Sequence, residues 1–296
     1  MGGTDFIYKM ITDKVIEKLN EGTVPWRQPW RVDTLPRSYA GRPYRGINLF
    51  LLMNSGYESP YWITWNAAKK AGGRIKESEN KNYTVVIYWN LLKVKDKKEP
   101  DKSKNIPLLR YFRVWNYQQT ENLPEPKGGA FPNRRAEREL TPDERHHNAH
   151  SIVEGYLDRP QITHGRNYAA YRPTLDVLEM PSPWAFDSLD EYYSTLFHEF
   201  GHSTAHSSRL NRDCGDYTFG SHDYGKEELV AEMTATFLNS HAEIVSTFDN
   251  SAAYINGWIK NIRENPKILV QAAAQAQKAA DYILGVEWEE ADEDTT

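Results

Sequence analysis

The chain is poor in cysteine and in long apolar runs, and its first residues carry no export signal. A single cysteine, Cys214, stands among 296 residues, so no internal disulfide is available and a reducing compartment is expected. No apolar run approaches the roughly 20 residues that a bilayer-spanning helix needs. Met1-Gly2-Gly3-Thr4-Asp5-Phe6 has neither the basic nor the apolar region of a signal peptide, so secretion is not expected and the expectation is a cytoplasmic protein with no membrane partner. Acidic excess is also small, a net charge of −5. What is present, 39% hydrophobic and 12% aromatic residues, suffices for ordinary cores, and the length suggests two domains.

The small net charge conceals a split. Residues 1–130 carry 22 basic and 13 acidic side chains, or +9, whereas residues 131–296 carry 14 and 28, or −14. Such asymmetry points to a polyanion-binding module joined to something else. At the boundary, Leu123-Pro124-Glu125-Pro126-Lys127-Gly128-Gly129-Ala130-Phe131-Pro132 reads as a linker, and Thr141-Pro142-Asp143-Glu144 opens a capped helix that ends near Gly155. The expected organisation is α+β throughout: a first domain over 1–125, a linker over 126–140 and a second domain over 141–296.

In the acidic half the motif His198-Glu199-Phe200-Gly201-His202 is the most informative stretch. On a helix, residues four apart lie about 40° apart around the axis, so two imidazoles can grip one ion with Glu199 beside them as general base. Ser188-Leu189-Asp190-Glu191 supplies a capping box, and Leu189, Tyr192, Leu196 and Phe200 recur at helical spacing. A catalytic zinc site takes a third protein ligand. His206 lies about 12 Å beyond His198 on a continued helix, too far to close on the same ion. Tyr224–Leu238 reads as a second amphipathic helix, with Leu229, Met233 and Phe237 on its apolar side. Glu228, Ala231, Glu232 and Ala235 share a neighbouring face, and its alanines permit close approach to the histidine helix. Glu228 is the expected ligand and Glu232 its support, with Glu227 the alternative ligand. Tyr224, His222 and His206 are equal candidates for stabilising an oxyanion.

This pattern, Glu228-Leu229-Val230-Ala231-Glu232 after the histidine motif, resembles the glutamate-type zincins. That likeness implies Glu228 as ligand; most such families carry Asp or Asn where this chain has Glu232. The cofactor expected is Zn2+, with Mn2+ or another divalent cation as alternatives, and the reaction class is peptide hydrolysis. His146, His147 and His150 lie on the polar start of the helix opened at Thr141, with no obvious carboxylate or cysteine partner to make them a metal site. Ala252–Leu284 reads as helical packing, followed by an acidic tail.

In the basic half, residues 6–19 read as an amphipathic helix closed by Gly22, and Tyr83–Trp89 and Leu108–Trp115 as strands flanking an exposed basic loop from Lys93 to Lys104. Six of nine tryptophans precede residue 131, interleaved with Arg and Lys, which is what a single-stranded nucleic-acid groove requires. Trp89 and Trp115 read as core. The candidate contacts are Trp26, Arg27, Trp30, Arg31, Arg42, Tyr44, Arg45, Asn48, Trp62, Lys69 and Lys70. No helix-turn-helix, zinc finger or RNP motif is present, so sequence-specific duplex reading is not expected.

The order Val24-Pro25-Trp26, Tyr44-Arg45-Gly46-Ile47-Asn48 and Trp62-Ile63-Thr64-Trp65-Asn66 resembles the N-terminal domain of plasmid-encoded ArdC-type antirestriction proteins. Tyr193–Glu199, His206-Ser207-Ser208-Arg209-Leu210-Asn211-Arg212 and Tyr224–Glu232 match that family's metallopeptidase-like domain in order. The likeness implies single-stranded DNA binding by the first domain, a zincin fold for the second, and a protein that helps conjugative plasmid DNA survive host restriction. The N-terminal domain of some plasmid primases is related. Two other readings stand beside this one: a DNA-binding shield whose zincin domain only holds metal or a host partner, and a DNA-dependent repair-type metalloprotease. The protein substrate or host restriction factor is not specified by sequence.

Overall fold

The computed structural model describes residues 3–26, 35–95, 103–127, 129–130, 141–213, 222–244 and 252–287. They form two compact units: Met1–Lys14, Pro36–Tyr44 and Asn48–Pro132 in the first, and Val15–Leu35, Arg45–Ile47 and Asn133–Thr296 in the second. The partition is not the single cut expected at 126–140. Two short pieces of the N-terminal half count with the second unit because helices of that unit hold Trp26 and Arg45. Among the described residues no helix is long and apolar enough to cross a membrane.

The first unit is built on a four-stranded sheet of order β1-β2-β5-β4, from β1 (Arg37–Ser38), β2 (Tyr61–Thr64), β4 (Thr84–Lys95) and β5 (Ser103–Asn116). A two-stranded sheet pairs β3 (Arg74–Ile75) with β6 (Thr120–Glu121). Helix α1 (Gly3–Asn20) precedes them and stops before Gly22, whose φ of +79° suits glycine; the cut between the units falls inside α1. The hairpin strands outrun the expected ones: β4 continues to Lys95 and β5 begins at Ser103, so both ends of the basic stretch are paired backbone, and residues 96–102 lie outside the described residues.

Alternation along β2 fills two cores. Trp62 joins Leu52, Val86 and Val114 on one face, while Ile63 joins Ala68, Ile75, Trp115 and Leu123 on the other. Leu52 comes from α2 (Ile47–Met53) and Ala68 from α3 (Trp65–Lys70), whose Thr64 cap accepts a hydrogen bond from the Ala67 amide at 3.3 Å. The expected linker is fastened at its start: Tyr39 Oη donates to Pro124 O at 2.9 Å and Ser59 Oγ to Ala130 O at 2.7 Å.

The second unit sets helices against a three-stranded sheet of order β7-β9-β8, from β7 (Gln161–His164), β8 (Ala170–Arg172) and β9 (Val177–Met180). Strand β7, which pairs parallel to β9, has no alternating pattern and was not expected. Helix α4 (Pro142–Gly155) begins as predicted, with Thr141 and Glu144 forming a capping box and Pro142 in the first turn. For α5 (Leu189–Ser203) only half of the predicted box forms: Ser188 Oγ accepts from the Glu191 amide at 3.2 Å, but Glu191 turns to the Asp187 amide at 3.2 Å.

Helix α6 (His222–Ala242) departs from its expected amphipathic character. Leu229, Ala231, Met233, Ala235 and Leu238 are fully buried, and so are the polar Thr234, Asn239 and Ser240 on other faces. Thr234 Oγ1 donates to Val230 O at 2.7 Å, and Asn239 Nδ2 reaches Ser194 Oγ on α5 at 2.9 Å. The predicted long C-terminal helix is two, α7 (Ala252–Glu264) and α8 (Ile268–Leu284), because Pro266 cannot continue the hydrogen-bond ladder.

Gly201 lets α5 and α6 meet. A Cβ there would lie 2.8 Å from Ala231 Cα and 3.2 Å from Ala231 O, closer than side chains tolerate. Gly201→Ala is expected to lower stability by about 1–3 kcal/mol through overpacking, read as a reduced midpoint in urea denaturation.

Candidate metal centre

Helix α5 carries His198 and His202 one turn apart with Glu199 beside His198, and the Gly201–Ala231 approach sets Glu228 of α6 opposite the two histidines. His198 Nε2 stands 3.1 Å from His202 Nε2 and 3.5 Å from Glu228 Oε2, and His202 Nε2 stands 3.6 Å from Glu228 Oε1. The three ligand atoms lie within 4.8 Å of one another, and no other such group of three occurs among the described residues. A tetrahedral ion with bonds of about 2.0–2.1 Å places neighbouring ligand atoms about 3.3 Å apart, which matches these separations. Two imidazoles and a carboxylate are also the donors that zinc and manganese accept. The residues present therefore fit a divalent cation.

Electrostatics favour the same occupant. Burial alone would push the His198 imidazole down, but the Glu228 hydrogen bond and the charges of Glu199, Glu228 and Glu232 outweigh it and raise the group to about 9. The negative potential that holds a proton there is what a cation would neutralise.

Glu199 is buried, and its Oε2 accepts a 2.7 Å hydrogen bond from the Tyr171 amide on β8, the edge strand. That strand is held in turn: Tyr171 Oη donates to Asp176 Oδ1 at 2.7 Å, and Arg209 grips both oxygens of Asp176 at 2.8 and 2.9 Å. Sequence reading missed this network; the signal available was Arg209 in the segment after α5.

Two further carboxylates of α6 stand by this site. Glu227, considered as an alternative ligand, faces the other side of His202, with Oε1 3.6 Å from Nδ1, and pairs with Arg212. Burial pushes its carboxyl up, but the bond to His202 and the Arg212 charge hold it below the usual range. Glu232 accepts a hydrogen bond from Trp26 Nε1 at 3.3 Å. His206 bonds Ser208 Oγ at 2.7 Å. The side chains of His222 and Tyr224 lie outside the described residues, as does Cys214. His146 pairs with Asp190 at 2.7 Å rather than with its neighbouring histidines.

The candidate DNA contacts are dispersed, and several are spent on folding. Trp26 is 1% exposed and packs edge-on against Trp258, and Trp62 is 2% exposed; neither ring can receive a base. Asn48 pins β4, donating to Ile87 O at 2.7 Å and accepting from its amide at 2.8 Å. Arg45 pairs with Asp281 of α8. Tyr44 is half-buried against the Trp62 cluster, and that burial pushes its phenol up to about 12. Arg42, Lys69 and Lys70 are exposed, while Arg27, Trp30 and Arg31 lie outside the described residues. Rings not singled out from sequence are available instead: Trp65 is 45% and Tyr111 38% exposed. Trp65 meets Trp115 edge-on at 5.8 Å, Trp115 meets Tyr83 at 6.0 Å, and the exposed Arg113 lies 4.5 Å over the Tyr83 ring.

Asp176 yields a pH test. Burial raises its carboxyl, but Arg209 and the Tyr171 hydroxyl outweigh this and lower it. A carboxyl lowered on folding stabilises fully above its unfolded value, about 3.9, and loses that contribution as pH falls through the folded value. Asp176→Asn should remove this acid-side loss. Arg209→Ala should cost about 1–3 kcal/mol at neutral pH, discounted for the partial exposure of Asp176; urea denaturation across pH 2–7 measures both.

Comparison with known proteins agrees with this geometry. The N-terminal domain of anti-restriction factor ArdC matches residues 5–115, and the zincin-like metallopeptidase family matches residues 156–275. Two DNA primases TraC from Escherichia coli are each 32% identical over 98% and 97% of the chain, which spans only 28% and 20% of their own lengths. An uncharacterized protein y4eC from Sinorhizobium fredii is 28% identical over 94% of the chain and 91% of its own length. The crystal structure of metal-free antirestriction ArdC protein from the R388 plasmid superimposes with a TM-score of 0.74 at 30% identity, over 93% of this chain and 96% of that one. Its Mn(II)-bound form gives 0.74 at 31% identity, over 94% and 97%. With an ArdC N-terminal domain, a zincin-like domain and whole-length likeness to a solved relative, the chain belongs to the ArdC antirestriction family.

Proposed function

We propose that the protein binds single-stranded DNA through its first unit and carries in its second a divalent-metal peptidase site, which together protect incoming plasmid DNA from host restriction. The observation that carries this reading is the convergence of His198, His202 and Glu228 beside a buried Glu199 in a chain of this family. Zinc or manganese is the expected ion. Held by His198, His202 and Glu228, it would supply polarisation of a scissile carbonyl and a water whose pKa is lowered towards neutrality. The chain's own groups do the rest: Glu199 takes the proton of the attacking water and passes it to the leaving amine, while the Tyr171 amide fixes one oxygen of its carboxylate. On the DNA side, Trp65 and Tyr111 offer faces to unstacked bases, and Lys69, one helical turn beyond Trp65 on α3, offers charge to phosphate.

A shield that never cuts is the second reading, favoured by the hydrogen bond that already occupies Glu199 Oε2. Glu199→Gln separates the two: it should retain metal yet lose cleavage of host proteins at least 100-fold, as read by mass spectrometry of lysates incubated with DNA-bound protein. Unchanged protection from restriction in that variant would favour the shield.

Metal binding has a worked pH dependence. His198 must be unprotonated to ligate, and its raised value of about 9 means that protons compete throughout the neutral range. Affinity for Mn(II) should therefore rise with pH up to about 9, and His198→Ala should abolish stoichiometric binding in calorimetry. For DNA, Trp65→Ala should weaken single-strand binding by about 1–3 kcal/mol, and wild-type affinity should fall steeply with salt in gel shifts. Salt-independent binding would count against the phosphate contacts.

A further inference from the structure

The segment after α5, singled out in the sequence as His206–Arg212, supplies Arg209 to the network behind Glu199, and it also sends a second, buried arginine towards the metal centre. Arg212 is 7% exposed and Glu227, its partner, 5%. The guanidinium is fixed from three sides: it donates to Gly201 O at 3.1 Å, to Thr204 Oγ1 and to Glu227 Oε1. Thr204 Oγ1 itself donates to Gly201 O at 2.7 Å, so the fork is seated on the last turn of α5. The same oxygen of Glu227 that Arg212 holds stands 3.6 Å from His202 Nδ1. On its opposite edge, His202 presents Nε2 to His198 and Glu228.

We propose that Arg212 is a positioning residue for the metal centre, acting through Glu227 to set the ring orientation and tautomer of His202. A histidine ligand has one nitrogen for the ion, and which one is decided by the hydrogen bond made by the other. With the Glu227 carboxylate 3.6 Å from Nδ1, the proton is drawn to that nitrogen and the Nε2 lone pair faces Glu228 and His198. Glu227 sits on α6 and His202 on α5, so its carboxylate is aimed only if something fixes it, and Arg212 is anchored to the helix that carries His202. A buried ion pair that merely joined the two helices would account for burial and for stability. It would leave ligand geometry untouched, and that difference is measurable.

This inference rests on the metal reading, and one set of measurements on the full-length protein separates their failures. Mn(II) affinity is measured by calorimetry, and the visible absorption of Co(II)-loaded protein reports ligand geometry, with folding checked by circular dichroism. Arg212→Ala and Glu227→Gln should each weaken Mn(II) binding about 10–100-fold and shift or flatten the Co(II) bands. The double variant should be no weaker than either single one within about threefold, because both substitutions interrupt one path. Arg212→Lys should recover part of the affinity. If wild type binds no Mn(II), the metal reading itself fails and the inference with it. If wild type binds and folded variants keep its affinity and Co(II) spectrum, Arg212 only joins helices and the inference is overturned. Should Arg212→Ala not fold, the near-isosteric Glu227→Gln decides the matter in the same way.

Discussion

The structure of the second unit depends on how closely α5 and α6 approach at Gly201 and Ala231. A Cβ on Gly201 would fall within 2.8 Å of Ala231 Cα, so the backbones meet where one helix has no side chain at all. From that contact follows the reach of Glu228 to His198 and His202, which no longer spacing would allow a short carboxylate to make. The glycine of the histidine motif thus serves the motif's chemistry by geometry alone. The same approach buries Glu227 against His202, and a buried carboxylate persists only with partners, here His202 and Arg212.

The site is also stabilised from outside its helices. Tyr171 gives its amide to Glu199 from an edge strand, and that strand is fixed by Asp176 and Arg209. Trp26 gives its indole N–H to Glu232 and its ring to Trp258. A Val-Pro-Trp motif that resembles part of the ArdC N-terminal domain therefore contributes one residue to the core of the second unit. For the DNA-binding reading this shifts the aromatic surface away from Trp26 and Trp62 and onto Trp65, Tyr111 and their neighbours.

Much of the candidate site was legible because its signals are local. Helical spacing of His198 and His202, a Ser188 cap and a box at Thr141 depend on residues within one or two turns, where backbone geometry leaves little freedom. The alanine-rich face of α6 was enough to nominate Glu228. Burial of individual aromatics was not legible: Trp62 and Trp65 are three residues apart in the same motif, yet one is core and the other exposed, because β2 ends and α3 begins between them. Strand β7 was missed for a related reason, since it lacks alternation and is recruited by pairing with β9.

The sequence by itself determined the candidate ligand types, their helical register, the acid beside them and the uneven charge of the two halves, because each is written in neighbouring residues or in simple counts. Tertiary structure decided which edge of the imidazoles Glu227 and Glu228 each face, which aromatic rings remain open, and that the units interleave along the chain. Those outcomes depend on contacts between residues as far apart as Trp26 and Glu232. No local periodicity encodes such a pairing; it is settled only when burying one group requires a partner from elsewhere in the chain.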